Sequence, residues 1–210
     1  MGLSVSLTVP PPQRAPLPVT VLQAGRVTLR DWVDEDLAPF AALNADPEVM
    51  AHFPARLSRD DSDAAAGRIR RGLAERGWGL WALQTPELRF AGFVGLVPVG
   101  FELPAGLLPW GDVPPVVEIG WRLSRAAWGR GDASAAARLA LAHARDALHL
   151  PGLVSFTALA NRRSEAVMQR LGLQRLGEFD HPRVPADHPV CRHVLYGLGF
   201  AAPAQPPMPT

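Results

Sequence analysis

The run Glu118-Ile119-Gly120-Trp121-Arg122-Leu123-Ser124-Arg125-Ala126-Ala127-Trp128-Gly129-Arg130-Gly131-Asp132-Ala133 gathers a carboxylate, arginines and a pair of closely spaced glycines. Its pattern predicts a strand ending near Ser124, a loop carrying Gly129 and Gly131, and then a helix. Two glycines two apart let main-chain N–H groups converge at a helix N-terminus, where the helix dipole also favours negative charge. Phosphate binds at such a place without specific side chains, and Arg125 and Arg130 are placed to add charge-assisted contacts. The same spacing also suits an ordinary turn. A dinucleotide fingerprint is excluded, because the third glycine is missing and no acidic residue closes the following strand. A P-loop is excluded because the chain has no lysine. The chemistry that remains is a phosphate-bearing ligand gripped mainly by main chain.

Composition narrows the partners. The chain has 210 residues, enough for one domain with a sizeable core and tails. Its formal net charge is +1, and all 21 cationic residues are arginine, scattered rather than striped. Neither a nucleic-acid partner nor a bulk polyanion is expected from that balance. Cys191 is the only cysteine, so no internal disulfide forms and a four-cysteine zinc site is ruled out. A single thiol suits a reducing cytoplasm. No apolar stretch approaches the roughly twenty residues of a membrane helix, so no membrane partner is expected. His181, His188, Cys191 and His193 cluster near the C-terminus, but their spacing fits no zinc pattern. Pro182, Pro185 and Pro189 read there as a structured turn, and no metal is expected.

The elements that must position these residues follow from periodicity and punctuation. Prolines at 10, 11, 12, 16 and 18 mark residues 1–24 as a disordered tail, and those at 203, 206, 207 and 209 mark 201–210 as another. The domain spans 25–200. Strands are expected at Arg26–Asp31, Leu80–Gln84, Phe90–Val99, Val116–Ser124, Leu153–Leu159, Gln174–Phe179 and Val190–Leu198. Helices are expected at Asp34–Asn44, from Ser58 to Arg76-Gly77, at Ala133–Leu148 and at Arg163–Leu171. Phe101–Pro115, rich in proline and glycine, reads as a loop or lid. Alternating strands and helices in the middle, with antiparallel strands around them, predict an α/β fold with a mixed sheet flanked by helices.

At this point the chain resembles the GNAT acetyltransferases, and within them the RimJ/RimL-like branch. The resemblance runs from about Val27 to Leu198. It is carried by Leu29-Arg30-Asp31-Trp32, Asp34-Glu35-Asp36 and Asn44-Ala45-Asp46-Pro47-Glu48-Val49-Met50. It continues through Val117-Glu118-Ile119-Gly120-Trp121, Trp128-Gly129-Arg130-Gly131, Asn161-Arg162-Arg163-Ser164 and Leu171-Gly172-Leu173. It implies the GNAT fold: a mostly antiparallel sheet with a central splayed pair of parallel strands, here Val116–Ser124 and Leu153–Leu159. It also implies acetyl-CoA as co-substrate. The pantetheine arm would enter the splay and pair near Leu123, and the pyrophosphate would rest on the amides from Trp128 through Gly129, Arg130, Gly131, Asp132 and Ala133 to Ser134. Two positions depart from the family pattern. Asp132 stands where an aromatic is usual, and Ala135 where Glu is common. A carboxylate at 132 repels pyrophosphate unless it turns outward or pairs with an arginine.

Acetyl transfer from a thioester to an amine needs a proton acceptor, a reachable carbonyl, a stabilised oxyanion and a proton for the departing thiolate. By resemblance, a backbone N–H near Leu123 is the oxyanion donor. Glu118, on the strand leading to the splay, is the candidate base acting through water; an arginine-paired strand carboxylate is the structural alternative. Asn161 reads both as an N-cap and as a hydrogen-bond partner of the pantetheine arm. Ser164 is the candidate donor to the thiolate, with helix-terminus hydrogen bonding as its alternative. Tyr196, the sole tyrosine, sits on the last strand, where packing is expected. The segment between the first two helices rims the acceptor cleft in the family, which makes Phe53 a substrate contact, and His181 and His188 are further acceptor-side candidates. The expected activity is direct N-acetylation of a primary amine. A protein N-terminal α-amine is favoured by the branch, with aminoglycosides, polyamines or a non-catalytic acyl-CoA-binding module as alternatives. The resemblance also admits a homodimer.

Overall fold

A computed structural model describes residue 15 and residues 17–111 and 115–200. Most of the N-terminal tail and all of the 201–210 tail lie outside the described residues. The order is β1 (Leu22–Ala24), β2 (Val27–Arg30), α1 (Leu37–Ala45), α2 (Arg59–Arg76), β3 (Leu80–Gln84), β4 (Gly92–Pro98), β5 (Val117–Leu123), α3 (Asp132–Asp146), β6 (Gly152–Ala158), α4 (Arg162–Arg170), β7 (Gln174–Asp180) and β8 (Arg192–Gly199). Among the described residues, eight strands form one sheet in the order β1-β2-β3-β4-β5-β6-β8-β7. Every neighbouring pair is antiparallel except β5 and β6. This is the mixed α/β sheet with a central parallel pair that the sequence predicts.

The N-terminal boundary needs correction. Residues 22–24, placed in the tail by their neighbouring prolines, form β1 and pair with β2 around a two-residue turn at Gly25-Arg26. The chain before them is also tied down. The Leu17 amide donates to Ala74 O, the Thr20 amide to Gly77 O, and the Trp81 indole to Thr20 O. A three-residue strand is too short to display a period, and its anchors lie far away in sequence.

Local chemistry sets the helices. Ser58 caps α2 by accepting the Asp61 amide at 3.1 Å, and Gly77 ends it in the left-handed region at φ 75°. The Asp34–Asn44 helix begins as a single 3-10 turn over Asp34–Asp36 before α1. Buried Asp36 is gripped by Arg30 through two hydrogen bonds, at 2.7 and 2.9 Å, which pin the start of α1 to β2. The alanines of α3 serve close approach. Ala136, Ala137, Ala140 and Ala144 are fully buried where α3 crosses the sheet.

Register separates the two faces of the sheet, because paired residues point the same way. Ala82, Phe93 and Arg122 share one face, as do Leu80, Gly95 and Gly120. Trp32 and Phe40 pack on that face against Phe93, at ring separations of 6.4 and 5.8 Å. Trp81 and Val94 point to the opposite face, where His143 of α3 meets the Trp81 ring at 5.7 Å. Beyond the splay, the first face is covered by the loop after β4. Phe101, Leu103, Leu107 and Trp110 pack over Leu108, Val154, Phe179 and Leu195. Trp110 lies on a glycine seat formed by neighbouring strands, and a Cβ at Gly152 would sit 2.6 Å from its ring. Gly152→Val is therefore expected to unseat this loop and lower stability by about 1–3 kcal/mol, read by urea denaturation with Trp fluorescence.

Candidate active site

The parallel pair is joined at a single register position, Glu118 with Val154. One step further on, the contact passes to a side chain, with Ser155 Oγ donating to Ile119 O at 2.8 Å. Past this point β5 and β6 separate toward their C-terminal ends. The Ser124 amide donates to Ala91 O on the β4 side, so the alternation of a strand turns the Leu123 N–H and C=O toward the gap. The Leu123 carbonyl accepts the Trp128 indole N–H at 2.9 Å. Its N–H has no partner among the described residues, leaving a main-chain donor in the splay.

The loop leaving β5 ends on two left-handed glycines, Gly129 at φ 76° and Gly131 at φ 80°, the latter being the N-cap of α3. A Cβ on either would meet no protein atom within 4 Å, so the space in front of the loop is open. The Trp128 amide is already used by Arg125 O, and the Ala135 amide closes the first helical bond to Gly131 O. Between them, the amides of residues 129–134, and hence of Gly129 through Ala133 and Ser134, have no backbone partner among the described residues. This is a cradle of donors at a helix N-terminus, and it suits a pyrophosphate. Trp128, expected to contribute its amide, instead holds the loop to β5 through its indole. Arg125 pairs with Glu48 at 2.7 Å, and Arg130 lies 3.8 Å from Glu87.

Asp132 faces an arginine, one of the two arrangements expected to quiet its charge. It is 2% exposed and turned inward, with Arg26 Nε at 3.5 Å. Arg26 also bonds Glu87, so Asp132, Arg26, Glu87 and Arg130 form one balanced charge network. Neither Asp132 oxygen has a hydrogen bond. Arg26→Gln is therefore expected to destabilise the fold by about 1–3 kcal/mol, the penalty for an unpaired buried carboxylate discounted for the exposure of Arg26. Urea denaturation reads the loss, and adding Asp132→Asn should recover most of it.

On the α1/α2 face of the sheet, Glu118, Gly120 and Arg122 follow one another along β5. Glu118 is half-buried and has no hydrogen bond or ion pair among the described residues, which removes the arginine-paired alternative. Burial pushes its carboxyl up to about 8. Its Oε1 leans toward Gly120, 3.5 Å from where a Cβ would lie. Arg122 was not singled out by sequence reasoning, although its two-residue spacing from Gly120 puts it on the face of Glu118. Its guanidinium donates to Asn44 Oδ1 at 2.5 Å and lies 3.9 Å from the Phe53 ring centroid and 5.4 Å from that of Phe93. Asn44 is fully buried and donates to buried Ser62 Oγ at 2.9 Å, which fixes its amide. The expected contact residue Phe53 thus does stand over β5, by way of Arg122.

Across the gap, Asn161 caps α4 by accepting the Ser164 amide at 3.2 Å, and its Nδ2 donates to Thr157 Oγ1 at 2.9 Å. Ser164 is half-buried in the first turn of α4, and its hydroxyl makes no hydrogen bond among the described residues. Tyr196 is buried and donates to Glu165 of α4 at 3.0 Å, so its hydroxyl is already engaged. Arg163 lies 4.5 Å over the Trp128 ring. The imidazole of His52 is held below its ordinary value by burial and by the charge of Arg163, which brings the α1–α2 connection close to the start of α4.

His181 joins an aromatic cluster on the β6 side, 4.8 Å from Phe101, 5.7 Å from Phe156 and 4.9 Å from His193. Burial lowers the basicity of both histidines, His181 also feeling His193. His188 departs from this group. Its Nδ1 accepts the Val190 amide and its carbonyl the Cys191 amide, so it holds the turn before β8. Among the described residues no cluster of histidine, cysteine and carboxylate groups converges as a metal site, and no helix is long and apolar enough to cross a membrane.

Comparison with known proteins agrees with this architecture. The chain is similar to a Bacillus subtilis (strain 168) protein, YkkB, at 27% identity over 158 residues, covering 73% of this chain and 85% of that protein. Its fold is similar to that of a GNAT-family acetyltransferase from Bacillus anthracis, at TM-score 0.66 and 19% identity, covering 86% of this chain and 98% of that one. It is also similar to RimL, a ribosomal L7/L12 alpha-N-protein acetyltransferase solved with coenzyme A, at TM-score 0.66 and 14% identity, covering 88% and 100%. The acetyltransferase (GNAT) domain family matches residues 26–174, the span that holds the splay, the glycine cradle and Glu118, and the chain belongs to that family.

Proposed function

We propose that the chain moves an acetyl group from acetyl-CoA directly to a primary amine, with Glu118 as general base. The reading rests on one juxtaposition: an unpaired, half-buried carboxyl lies on the strand that opens into the splay and ends at the glycine cradle. The cradle amides 129–134 bind the pyrophosphate, and the free Leu123 N–H pairs with the ligand in the gap and donates to the carbonyl oxygen as charge develops there. The acceptor ammonium loses its proton to Glu118, directly or through one water, and the neutral amine attacks the thioester carbonyl. The C–N bond forms, the C–S bond breaks, and the thiolate takes a proton. Ser164, with its uncommitted hydroxyl at the start of α4, is the donor we assign, and the second proton of the attacking nitrogen replaces the one it gives as the amide forms.

The branch resemblance and the likeness to RimL support a protein N-terminal α-amine as acceptor. A polycationic small amine is less well suited, because the cleft face of β5 carries one carboxyl and one arginine rather than a cluster of acids. Cys191 as a free buried thiol is in keeping with a reducing cytoplasm. Calorimetric titration with acetyl-CoA, followed by thiol release across N-terminal peptides, amino acids, polyamines and aminoglycosides, tests the reading. Binding with release on one acceptor class supports it; binding with no release on any of them favours a non-catalytic acyl-CoA-binding module, and no binding overturns it.

A further inference from the structure

The cleft face of β5 carries a half-buried charge that no described residue neutralises. Arg122 has its Nε buried without a hydrogen-bond partner. Its hydrogen bond goes to Asn44, a neutral amide, and no carboxylate lies within ion-pair distance among the described residues. The faces of Phe53 and Phe93 offset part of the cost of burial through cation–π attraction, but an aromatic face does not replace a counter-ion. Burial accordingly lowers the guanidinium to about 10. The contact is built rather than incidental. Ser62 fixes Asn44, Asn44 orients Arg122, and Phe53 lies over the guanidinium.

The surrounding charges share this sign. Arg163 stands near the gap over Trp128 with no carboxylate partner among the described residues, and Arg125 is already balanced by Glu48. Glu118 makes no ion pair with Arg122 and remains largely protonated near neutrality. Gly120 lies between Glu118 and Arg122, about 7 Å along the strand from each, and presents a bare stretch of main chain. An amine delivered to Glu118 over Gly120 therefore brings whatever substituent it carries toward Arg122.

We infer that the acceptor is an amine bearing a nearby carboxylate, which docks on the Asn44-oriented guanidinium of Arg122 as its missing counter-ion. This rests on the acetyl-transfer reading above and narrows its acceptor. The carboxylate belongs either to a free amino acid or to an acidic side chain beside a peptide N-terminus, and the test separates the two.

Calorimetry on the full chain with coenzyme A present would compare glycine with glycinamide, and C-terminally amidated Glu-Ala-Ala with Gln-Ala-Ala, with spermidine as the polycation. In at least one pair the acid should bind at least about tenfold tighter than its uncharged partner. Arg122→Gln should erase that gap by weakening the acid alone, Arg122→Lys should keep part of it, and coenzyme A affinity should stay unchanged in both. Equal affinities within both pairs, tighter binding of spermidine, or a gap that survives Arg122→Gln would each overturn the inference. The wild-type comparison decides even where a variant folds poorly. Thiol release, measured separately, reports on acetyl transfer itself, so failure of the carboxylate preference and failure of the reaction remain distinguishable.

Discussion

Gly131→Glu is expected to weaken acetyl-CoA binding by about 100-fold or more, equivalent to about 2.7 kcal/mol. Gly131 is the N-cap of α3 at φ 80°, and the space beyond its Cα is free of protein atoms. A side chain there clashes with nothing in the unliganded fold, so its steric and electrostatic effect falls on the ligand. The glutamate would project a charge into the space faced by the amides of 129–134, the place proposed for the pyrophosphate. Forcing a non-glycine residue into the left-handed region adds roughly 1–2 kcal/mol of strain. Gly131→Ala carries that strain without the charge and should lose far less affinity. Calorimetric titration of both variants, with circular dichroism to verify folding, separates the terms. Unchanged affinity in Gly131→Glu would remove the cradle from the binding site.

Glu118→Gln is expected to lower kcat by about 10²- to 10⁴-fold, the usual scale for a lost general base, with acetyl-CoA affinity retained. Because burial holds the carboxyl near 8, wild-type kcat/KM should rise as pH approaches 8 and then level, and the variant should lose that inflection. A wild-type rate at every pH would remove Glu118 from the mechanism. Stability supplies an independent reading. A carboxyl raised from 4.5 to about 8 binds its proton more tightly in the folded state, so between those values the native protein holds more protons than the unfolded chain. Wild-type stability should therefore be highest below pH 4.5 with respect to this group and fall as pH rises toward 8. Glutamine cannot ionise, so the melting temperature of Glu118→Gln should gain on wild type across that interval. The two measurements separate a carboxyl that is merely buried from one that is buried and used.

Much of this fold is legible in the chain itself. Leu80–Gln84 reads as a short apolar run and is a strand with those bounds, and the other expected strands differ by a few residues at their ends. Helix ends announce themselves through Ser58, Gly77 and Asn161 because capping is a contact over a few residues. The glycine cradle is equally local, since two glycines and a helix start are adjacent in sequence. Other features are hidden for the opposite reason. β1 is three residues long and is held by β2 and, through Thr20, by Trp81. The loop after β4 reads as irregular chain, and its order comes from a glycine seat for Trp110 assembled by β6 and β8.

The candidate site divides the same way. By itself the sequence determined the strand, the glycine loop and helix, the cap at Asn161, and a carboxylate on that strand. Each is an arrangement of neighbours whose geometry follows from backbone period and hydrogen-bonding rules. Only the tertiary structure decided that, among the described residues, Glu118 stands unpaired and Arg122 lacks a counter-ion while an asparagine 78 residues away orients it, and that Asp132 is answered by Arg26. Electrostatic state depends on what chain folding brings within a few ångströms and on how much water it removes. Neither quantity is written in the order of the residues.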